Sequence, residues 1–175
     1  DMNAWNRVIK IGEQIREDIR EHNPENTKKQ NSEKISELFK IVGLEDSIMD
    51  RFPHELSGGM KQRAVIALAL SCDPKIVIAD EPTTALDVVI QDQILKEIKK
   101  VQELLGLSLI YISHDIAVIA EMTDNMAVMY AGSIVEKGPT SSIFWRAAQH
   151  AREALAHKPE RARRAACAAA KRHDG

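Results

Sequence analysis

Residues 76–82 read Ile-Val-Ile-Ala-Asp-Glu-Pro, a short apolar run that ends in two acids and a proline. A continuous apolar run bounded by turn residues predicts a buried strand, with the acids at its carboxyl end. Apolar residues then recur at helical spacing from Ile90 to Leu105, and Gly106 stops the helix. A second β-rich run, residues 107–112, precedes the Ser-His-Asp of residues 113–115. Strand, helix and strand in this order form a βαβ unit, so the sequence predicts an α/β fold.

Helices are predicted before this unit and a hairpin after it. Apolar residues at three- and four-residue steps indicate an amphipathic helix from Val8 to Ile19. Residues 23–31 are polar and predict a loop, and a second helix then runs from its cap Ser32 to its stop Gly43. A dense apolar helix is predicted over residues 64–72, and two β-rich runs around Gly132 predict a hairpin within residues 126–135.

The composition describes a globular chain with one main domain. Of the 175 residues, 44% are apolar and 29% are charged, which excludes a disordered chain and a disulfide-dense secreted scaffold. The longest unbroken apolar run, Ala64 to Leu70, is too short to cross a bilayer, and residues 1–5 do not resemble a secretory signal. The two cysteines, Cys72 and Cys167, lack metal-ligand spacing, so we expect two reduced thiols and no zinc site.

The end of the chain differs in composition from the rest. Residues 145–175 contain eight Arg or Lys, three acids and eleven Ala, a net charge of +5 in a chain whose total is −2. This change predicts a boundary near Phe144, with a main domain over 1–144 and a basic tail over 145–175. Two interpretations of this tail are a basic helix that touches acidic lipid or nucleic acid and a divergent, frame-shifted or disordered end.

Three clusters carry candidate chemistry, and each also has a plain structural interpretation. In the first, residues 56–63 (Leu-Ser-Gly-Gly-Met-Lys-Gln-Arg), glycines allow close backbone approach and the helix start favours an anion such as phosphate. The same pattern fits a simple turn and helix cap. In the second, Asp80 can hold Mg²⁺ and Glu81 can orient or deprotonate a water, or both can lie in a solvated loop. In the third, His114 can donate to a transferring phosphoryl group or serve a structural role.

Taken together, the clusters resemble the nucleotide-binding subunits of ABC transporters over residues 3–144. Ser57 precedes Asp80 by 23 residues, and Asp80 precedes His114 by 34. The amino-acid sequences of residues 53–63 and 130–138 are most similar to those of the peptide and nickel importer branch. In that family's terms the chain has a signature loop at Leu56–Met60, a Walker B strand at Ile76–Asp80, a catalytic glutamate at Glu81, a D-loop at Ala85–Asp87 and a switch histidine at His114.

The resemblance implies an incomplete P-loop NTPase fold and a role for each motif. Residues 1–63 would form a helical subdomain with the signature loop, and residues 64–144 the Walker B half of the core. Asp80 would hold Mg²⁺ through water, Glu81 would polarise the attacking water, and His114 would contact the γ-phosphate of ATP. The signature-loop residues Ser57, Gly58, Gly59 and Met60 would reach the ATP held by a partner subunit, and Asp87 would help the two sites communicate.

The resemblance also implies partners and a location. A second ATPase subunit, identical or different, would pack head to tail with this one, and transmembrane permease subunits would bind the pair at the cytoplasmic face of the cell membrane. The cargo, a peptide or nickel, would be chosen by other subunits without touching this chain. Nucleic acid is not an expected partner, because no long coiled coil typical of DNA-repair or chromosome-organising ATPases precedes Ser57.

One family motif is missing from the sequence. A Walker A loop reads G-x-x-x-x-G-K-[ST], yet none of the eight glycines is followed by lysine. Residues 2–6 resemble the stretch just after the Q-loop glutamine, so we expect this chain to be the carboxyl-terminal portion of a longer subunit. Without the loop we expect no high-affinity ATP binding by the chain alone, and exposed strand edges that favour low stability or association. The alternative function is a non-catalytic partner that lends its signature loop to another subunit's ATP site.

Overall fold

The computed structural model describes residues 5–84 and 86–146, in two compact units that divide between His114 and Asp115. The first unit begins with helices α1 (Ile11–His22), α2 (Lys28–Ile41) and α3 (Gly58–Leu70), with two short 3-10 helices (Asp46–Asp50 and Pro53–Glu55) between α2 and α3. It continues with β1 (Ile76–Asp80), α4 (Val88–Leu105) and β2 (Ser108–Ile112). The second unit contains α5 (Ile116–Met122), β3 (Asn125–Tyr130) and β4 (Ser133–Pro139), followed by helical residues 140–146.

Helix α1 begins three residues later than the sequence predicts. Val8 lies before the helix and is 81% exposed, whereas Ile11, Ile15 and Ile19 are fully buried. The side-chain Oδ1 of Asn6 accepts a hydrogen bond from the Val8 backbone N–H at 3.1 Å. Such a local side-chain bond holds the backbone in a turn and competes with helix formation, so the prediction of a helix from Val8 was wrong at its start.

Helix α2 begins earlier than predicted, and its cap is Thr27 rather than Ser32. The Thr27 hydroxyl accepts from the Gln30 backbone N–H at 3.3 Å, while Gln30 Oε1 accepts from the Thr27 N–H at 2.8 Å. This reciprocal pair is a capping box, which satisfies two of the unpaired donors at a helix start. Residues 28–31 are therefore helical, and the predicted loop over residues 23–31 was too long. Gly43 follows the helix with φ +67°, as expected of a stop.

The helical part of the first unit encloses its main apolar core. The fully buried side chains come from one face of each helix, because apolar residues three or four apart lie on the same side of a helix. They include Ile11, Ile15, Ile19, Ile35, Phe39, Ala64 and Ala67. Helix α3 begins at Gly58, six residues before the predicted start, because Ser57 caps it.

The predicted βαβ unit is present. Strands β1 and β2 pair in parallel, with Ile76 opposite Ser108 and Asp80 opposite Ile112. Gly106 ends α4 with φ +61°, in the left-handed region that favours glycine.

The prediction that β1 is a buried strand was wrong. Ile78 is 64% exposed and its register partner Ile110 is 51% exposed, whereas Val77 packs against the helical core. Alternate residues of a strand point to opposite faces, so one face of this two-stranded sheet is packed and the other is open over the described residues. An uninterrupted apolar run indicates cover on both faces, and only one face has it here.

The second unit contains the predicted hairpin. Strands β3 and β4 are antiparallel, and the turn residues Ala131 and Gly132 both have positive φ, as a two-residue hairpin turn of type I′ requires. Over residues 5–84 and 86–146, no helix combines the length and apolar character needed to cross a bilayer. The predicted tail lies almost wholly outside the described residues, so the boundary near Phe144 stays a prediction.

Candidate functional site

The carboxyl ends of β1 and β2 bring Glu81 and His114 into direct contact. Because the two strands are parallel and in register, the residues that follow them lie at the same edge of the sheet. The Glu81 N–H donates to the Ile112 carbonyl at 2.9 Å, which extends the ladder by one bond. His114 Nδ1 lies 2.8 Å from Glu81 Oε1, and the His114 backbone N–H donates to the same oxygen at 3.1 Å.

The backbone of Glu81 has an unusual conformation for a residue with a side chain. Its φ is +46°, in the left-handed region, which carries a cost of about 1–3 kcal/mol and persists only when the surroundings impose it. The Thr84 hydroxyl donates to Glu81 Oε2 at 2.8 Å, and the Thr84 N–H donates to the Glu81 carbonyl at 3.2 Å. Three donors therefore orient this carboxylate, and the strained turn aims it along the sheet edge.

The charge state of Glu81 follows from these contacts. The hydrogen bond from His114, followed by that from Thr84, lowers the pKa of the Glu81 carboxyl below its ordinary value. Glu81 is therefore ionised at neutral pH and accepts hydrogen bonds without donating any. Its side chain is 37% exposed and that of His114 is 84% exposed, so both reach solvent. The pair can orient a polar ligand or a water at this edge.

Asp80 lies at the same edge, beside a cavity of about 550 Å³. The cavity wall is mainly apolar and comes from α3, α4 and both strands, while Asp80, Glu81 and Thr84 contribute polar groups. Carboxylate and hydroxyl oxygens are the ligands that Mg²⁺ prefers, and Asp80 is exposed. The donor set at this edge therefore fits Mg²⁺, and the role of Asp80 in holding the ion stays a prediction.

The loop before α3 is closed by a local cap. The Ser57 hydroxyl accepts from the Met60 N–H at 3.3 Å, which is the plain structural interpretation of this motif. Ser57 and Gly58 are exposed, while Gly59 and Met60 are half-buried. The predicted approach of an anion to this helix start stays a prediction.

The two glycines of this loop are needed for contacts within the chain itself. A Cβ on Gly58 would lie 3.3 Å from Leu86 Cδ2, and one on Gly59 would lie 3.0 Å from Ile90 Cγ2. Both distances are tighter than ordinary van der Waals contact. Asp87, between Leu86 and Ile90, caps α4 by accepting from the Ile90 N–H at 3.0 Å. The loop before α3 is therefore packed against the segment that follows Glu81, a contact that the sequence analysis did not anticipate.

Comparison with known proteins places this arrangement in a family. Residues 1–84 match the family model described as ABC transporter. The chain is 48% identical over 147 residues to the oligopeptide transport ATP-binding protein OppD of Bacillus subtilis, which is 82% of this chain and 40% of that protein. It is also 48% identical over 145 residues to the dipeptide transport ATP-binding protein DppD of Haemophilus influenzae, covering 82% of this chain and 44% of that protein.

The chain belongs to the ABC transporter family. It spans less than half the length of these two relatives, at 40% and 44%. The ABC family and the α/β P-loop NTPase fold that the sequence predicted are both confirmed.

Solved structures of ABC proteins share this fold. The cbiO1 protein from Clostridium perfringens, described as part of an ABC transporter complex, superposes with a TM-score of 0.72 at 26% identity, over 90% of this chain and 61% of that one. A dimeric ATP-binding cassette in a post-hydrolysis state, bound to ADP and Pi, superposes with a TM-score of 0.67 at 26% identity, over 78% of this chain and 59% of that one.

The structure gathers some of the predicted ABC site residues and leaves others apart. Asp80, Glu81 and His114 share one sheet edge. Ser57 and Asp87 each accept a hydrogen bond from their own helix, and among the described residues neither is bonded to Glu81 or His114. Ala85 lies outside the described residues. The catalytic and binding roles of these residues stay predictions.

Two features of this ABC chain were not predicted from its sequence. One is Thr84, which holds Glu81 and could have been found as a hydroxyl three residues after an acid. The other is an ion pair between Arg63 of α3 and Glu97 of α4, with Nη1 and Oε1 2.5 Å apart. Arg63 Nη1 also donates to the Val42 carbonyl at 3.1 Å, so it joins the end of α2 to two other helices. Burial raises the pKa of the Glu97 carboxyl despite the attraction of Arg63.

Proposed function

We propose that this chain supplies the Mg²⁺-binding, water-orienting and signature-loop residues of an ATP-hydrolysing subunit of an ABC importer for peptides or nickel. The observation that carries the proposal is the hydrogen-bonded pair of Glu81 and His114 beside Asp80, at the carboxyl edge of two parallel strands. Ligands of open α/β sheets bind at that edge. The match to peptide-transport ATP-binding proteins at 48% identity supports the substrate class.

In this proposal each acid has one task. Asp80 holds Mg²⁺ through water, and the ion when bound would neutralise charge on the phosphates of ATP. Glu81 orients the attacking water through hydrogen bonds to its ionised carboxylate. Because its pKa is lowered, Glu81 is a weak base before reaction, so its main contribution is to position and polarise the water rather than to remove its proton in advance.

His114 acts on both the glutamate and the nucleotide. Its Nδ1 lies 2.8 Å from Glu81 Oε1, which fixes the ring orientation. The other ring nitrogen can donate to a γ-phosphate oxygen only when the imidazole is protonated. A protonated His114 would then stabilise negative charge that develops during phosphoryl transfer.

The proposed site needs a second ATPase subunit. Ser57, Gly58, Gly59 and Met60 lie at the start of α3, where backbone N–H groups favour an anion, and we assign them to the ATP held by the partner subunit. The partner is a second copy or a different subunit. Transmembrane permease subunits would bind the pair at the cytoplasmic face of the cell membrane, and the cargo would not touch this chain.

The alternative function is that of a non-catalytic signature donor. The 175 residues contain no G-x-x-x-x-G-K-[ST] stretch, whose backbone N–H groups and lysine cradle the phosphates in P-loop NTPases. In the alternative, the Asp80 edge of this chain binds no nucleotide, and only the loop at Ser57 acts, on a partner's ATP.

Equilibrium binding of Mg-ATP to the purified chain tests both functions. We expect no tight binding by the chain alone, and altered ATP binding or turnover when an intact peptide-importer ATPase subunit is added. If Asp80→Asn in this chain changes the ATP binding or turnover of the mixture, the Asp80 edge contributes to the ATP site. If only Ser57→Arg changes it, the signature-donor function holds. Micromolar binding by the chain alone, abolished by Asp80→Asn, would show that another element replaces the missing loop.

A further inference from the structure

A second group of polar side chains lies between α1 and the end of α3. Asp18 offers a carboxylate oxygen, His22 an imidazole nitrogen and Cys72 its Sγ, and these three atoms all lie within 4.8 Å of one another. In the part of the chain that the structure describes, this is the one group of three or more such side chains close enough to share an ion. Asp18 and Cys72 are half-buried and His22 is exposed.

The fold brings these residues together from distant parts of the sequence. Asp18 and His22 are four residues apart on α1 and therefore share a face, next to the buried residues Ile15 and Ile19. Cys72 follows the end of α3, 54 positions beyond Asp18. The expectation of no zinc site considered only spacing along the chain, which cannot show this juxtaposition.

Existing hydrogen bonds engage all three side chains. The hydroxyl of Ser71, which is fully buried, donates to Asp18 Oδ2 at 2.9 Å. His22 Nδ1 lies 3.0 Å from the Asp18 backbone carbonyl, so Nδ1 carries the proton and Nε2 carries the lone pair. Metal-binding histidines are commonly oriented by such a bond from the other ring nitrogen to a carbonyl, and ligating carboxylates are themselves hydrogen-bonded.

The spacing of the ligand atoms is close to that of a metal site. Ligand atoms around a tetrahedral Zn²⁺ lie about 3.3–3.8 Å apart, given metal–ligand bonds of about 2.0–2.3 Å. Cys72 Sγ is already 3.4 Å from Asp18 Oδ2, to which the thiol donates a hydrogen bond, and binding of a metal would release that proton to solvent. Closing the remaining separations takes rotation of the side chains.

We propose that Asp18, His22 and Cys72 bind a divalent transition-metal ion of the Zn²⁺ or Co²⁺ type, with a fourth position open to solvent. One sulfur, one nitrogen and one oxygen donor suit these ions, whereas Mg²⁺ and Ca²⁺ prefer oxygen ligands alone. A thiolate and a carboxylate together balance the charge of the ion. The site is separate from Asp80, and the bound ion links α1 to the end of α3, the helix that begins at the signature loop.

Titration of the purified 175-residue chain with Co²⁺, in a phosphine reductant, tests the site. We expect tetrahedral Co²⁺ absorption and a thiolate-to-cobalt charge-transfer band, both removed by Zn²⁺ and unaffected by Mg²⁺. Cys72→Ser should abolish the charge-transfer band, and His22→Gln should weaken Co²⁺ binding by more than about tenfold. Ser71→Ala should weaken it by about tenfold, the lower end of the effect of losing a group that orients a ligand.

Two matched variants control for the residue types. Cys167→Ser removes the other cysteine and His54→Gln removes a histidine outside the cluster, and both should bind Co²⁺ as the parent chain does. Because His22 is exposed, His22→Gln should keep the parent's far-ultraviolet circular dichroism. The proposal is overturned if the parent chain gives no charge-transfer band, if the band survives Cys72→Ser or disappears in Cys167→Ser, or if His22→Gln binds no more weakly than His54→Gln.

Discussion

Ile15 on α1 and Ile78 on β1 are the same side chain in the same unit, yet Ile15 is fully buried and Ile78 is 64% exposed. The helical region, residues 11–70, encloses a close-packed core, whereas the βαβ region, residues 76–112, packs one face of its sheet and leaves the other open. The proposed catalytic edge belongs to the open region and depends on hydrogen bonds rather than on burial. Stability and chemistry should therefore respond to substitutions in different places.

The largest effect is expected for chemistry at the open edge. In an ATPase where this segment replaces the corresponding part of an intact peptide-importer subunit, Glu81→Gln should lower turnover by about 10²–10⁴, the range for a positioned acid–base group. The amide keeps the shape of the side chain but loses the charge that orients water. Steady-state phosphate release measures the effect, and urea unfolding should show little change in stability.

Glu37→Gln, an exposed substitution on α2, is the matched control and should leave turnover unchanged. Equal turnover in the Glu81→Gln and parent enzymes would remove Glu81 from the proposed mechanism. A large loss of stability instead of turnover would mean that the contacts of Glu81 with Thr84 and His114 serve folding.

The next largest effect is the difference in stability between alanine substitutions at the two isoleucines. Ile15→Ala should lower the free energy of unfolding by about 2–5 kcal/mol, because it removes buried methyl groups and leaves a cavity. Ile78→Ala should change it by about 0.5 kcal/mol or less, as expected at an exposed position. Urea unfolding at several protein concentrations measures both. A large, concentration-dependent cost for Ile78→Ala would show that another chain covers the open face of the sheet in solution.

The same comparison tests the expectation that exposed strand edges favour association. A low or concentration-dependent stability of the parent chain supports it, since unpaired edges and open apolar faces invite pairing. A sharp monomeric transition with high stability contradicts it, because the helical core would then suffice for the unit.

A smaller effect is expected where the signature loop meets the segment after Glu81. A Cβ at Gly59 would lie 3.0 Å from Ile90 Cγ2, so Gly59→Ala crowds this contact, while alanine's higher helix propensity offsets part of the cost. We expect Gly59→Ala to be about 1 kcal/mol more destabilising in the parent chain than in Ile90→Ala. A double-mutant cycle by urea unfolding measures this coupling. Additive effects, within about 0.3–0.5 kcal/mol, would mean that the loop and α4 move apart in solution.

Local patterns allowed helices α1 to α4, the two parallel strands, the hairpin and the strand-end acids to be predicted, because periodicity, caps and turn residues act within a few positions. Helix α5 was not predicted. The hydrogen bond of Glu81 to His114 was not predicted. Each residue was predicted to follow a strand, and the parallel pairing of the two strands brings them to one edge. Competition between local bonds shifted boundaries, as at Asn6 before α1 and in the Thr27 capping box. The exposed sheet face at Ile78 could not be predicted from the sequence. An apolar run shows that its side chains favour burial, but it does not show which other element packs against them.

The smallest expected effect is a change of stability with pH that comes from the ion pair between Arg63 of α3 and Glu97 of α4. Burial raises the pKa of Glu97 although Arg63 lies beside it, so removing the charged carboxylate from water outweighs their attraction. In the folded chain Glu97 therefore holds a proton at pH values where the unfolded chain, with an ordinary glutamate pKa of about 4.3, has released it. The stability from this group is fully present below that pH and is lost as the pH rises through the folded pKa.

The variant Glu97→Gln tests whether this group makes stability fall or rise with pH, because glutamine resembles the neutral acid at every pH. The stability of the parent chain relative to Glu97→Gln should fall as the pH rises above about 4.3 and level off above the folded pKa. Glu103→Gln, exposed on the same helix, controls for the loss of one negative charge. Urea unfolding across this pH range measures the difference. A relative stability that instead rises with pH would mean that the attraction of Arg63 exceeds the effect of burial, and that the pair stabilises the contact between α3 and α4 in its charged form.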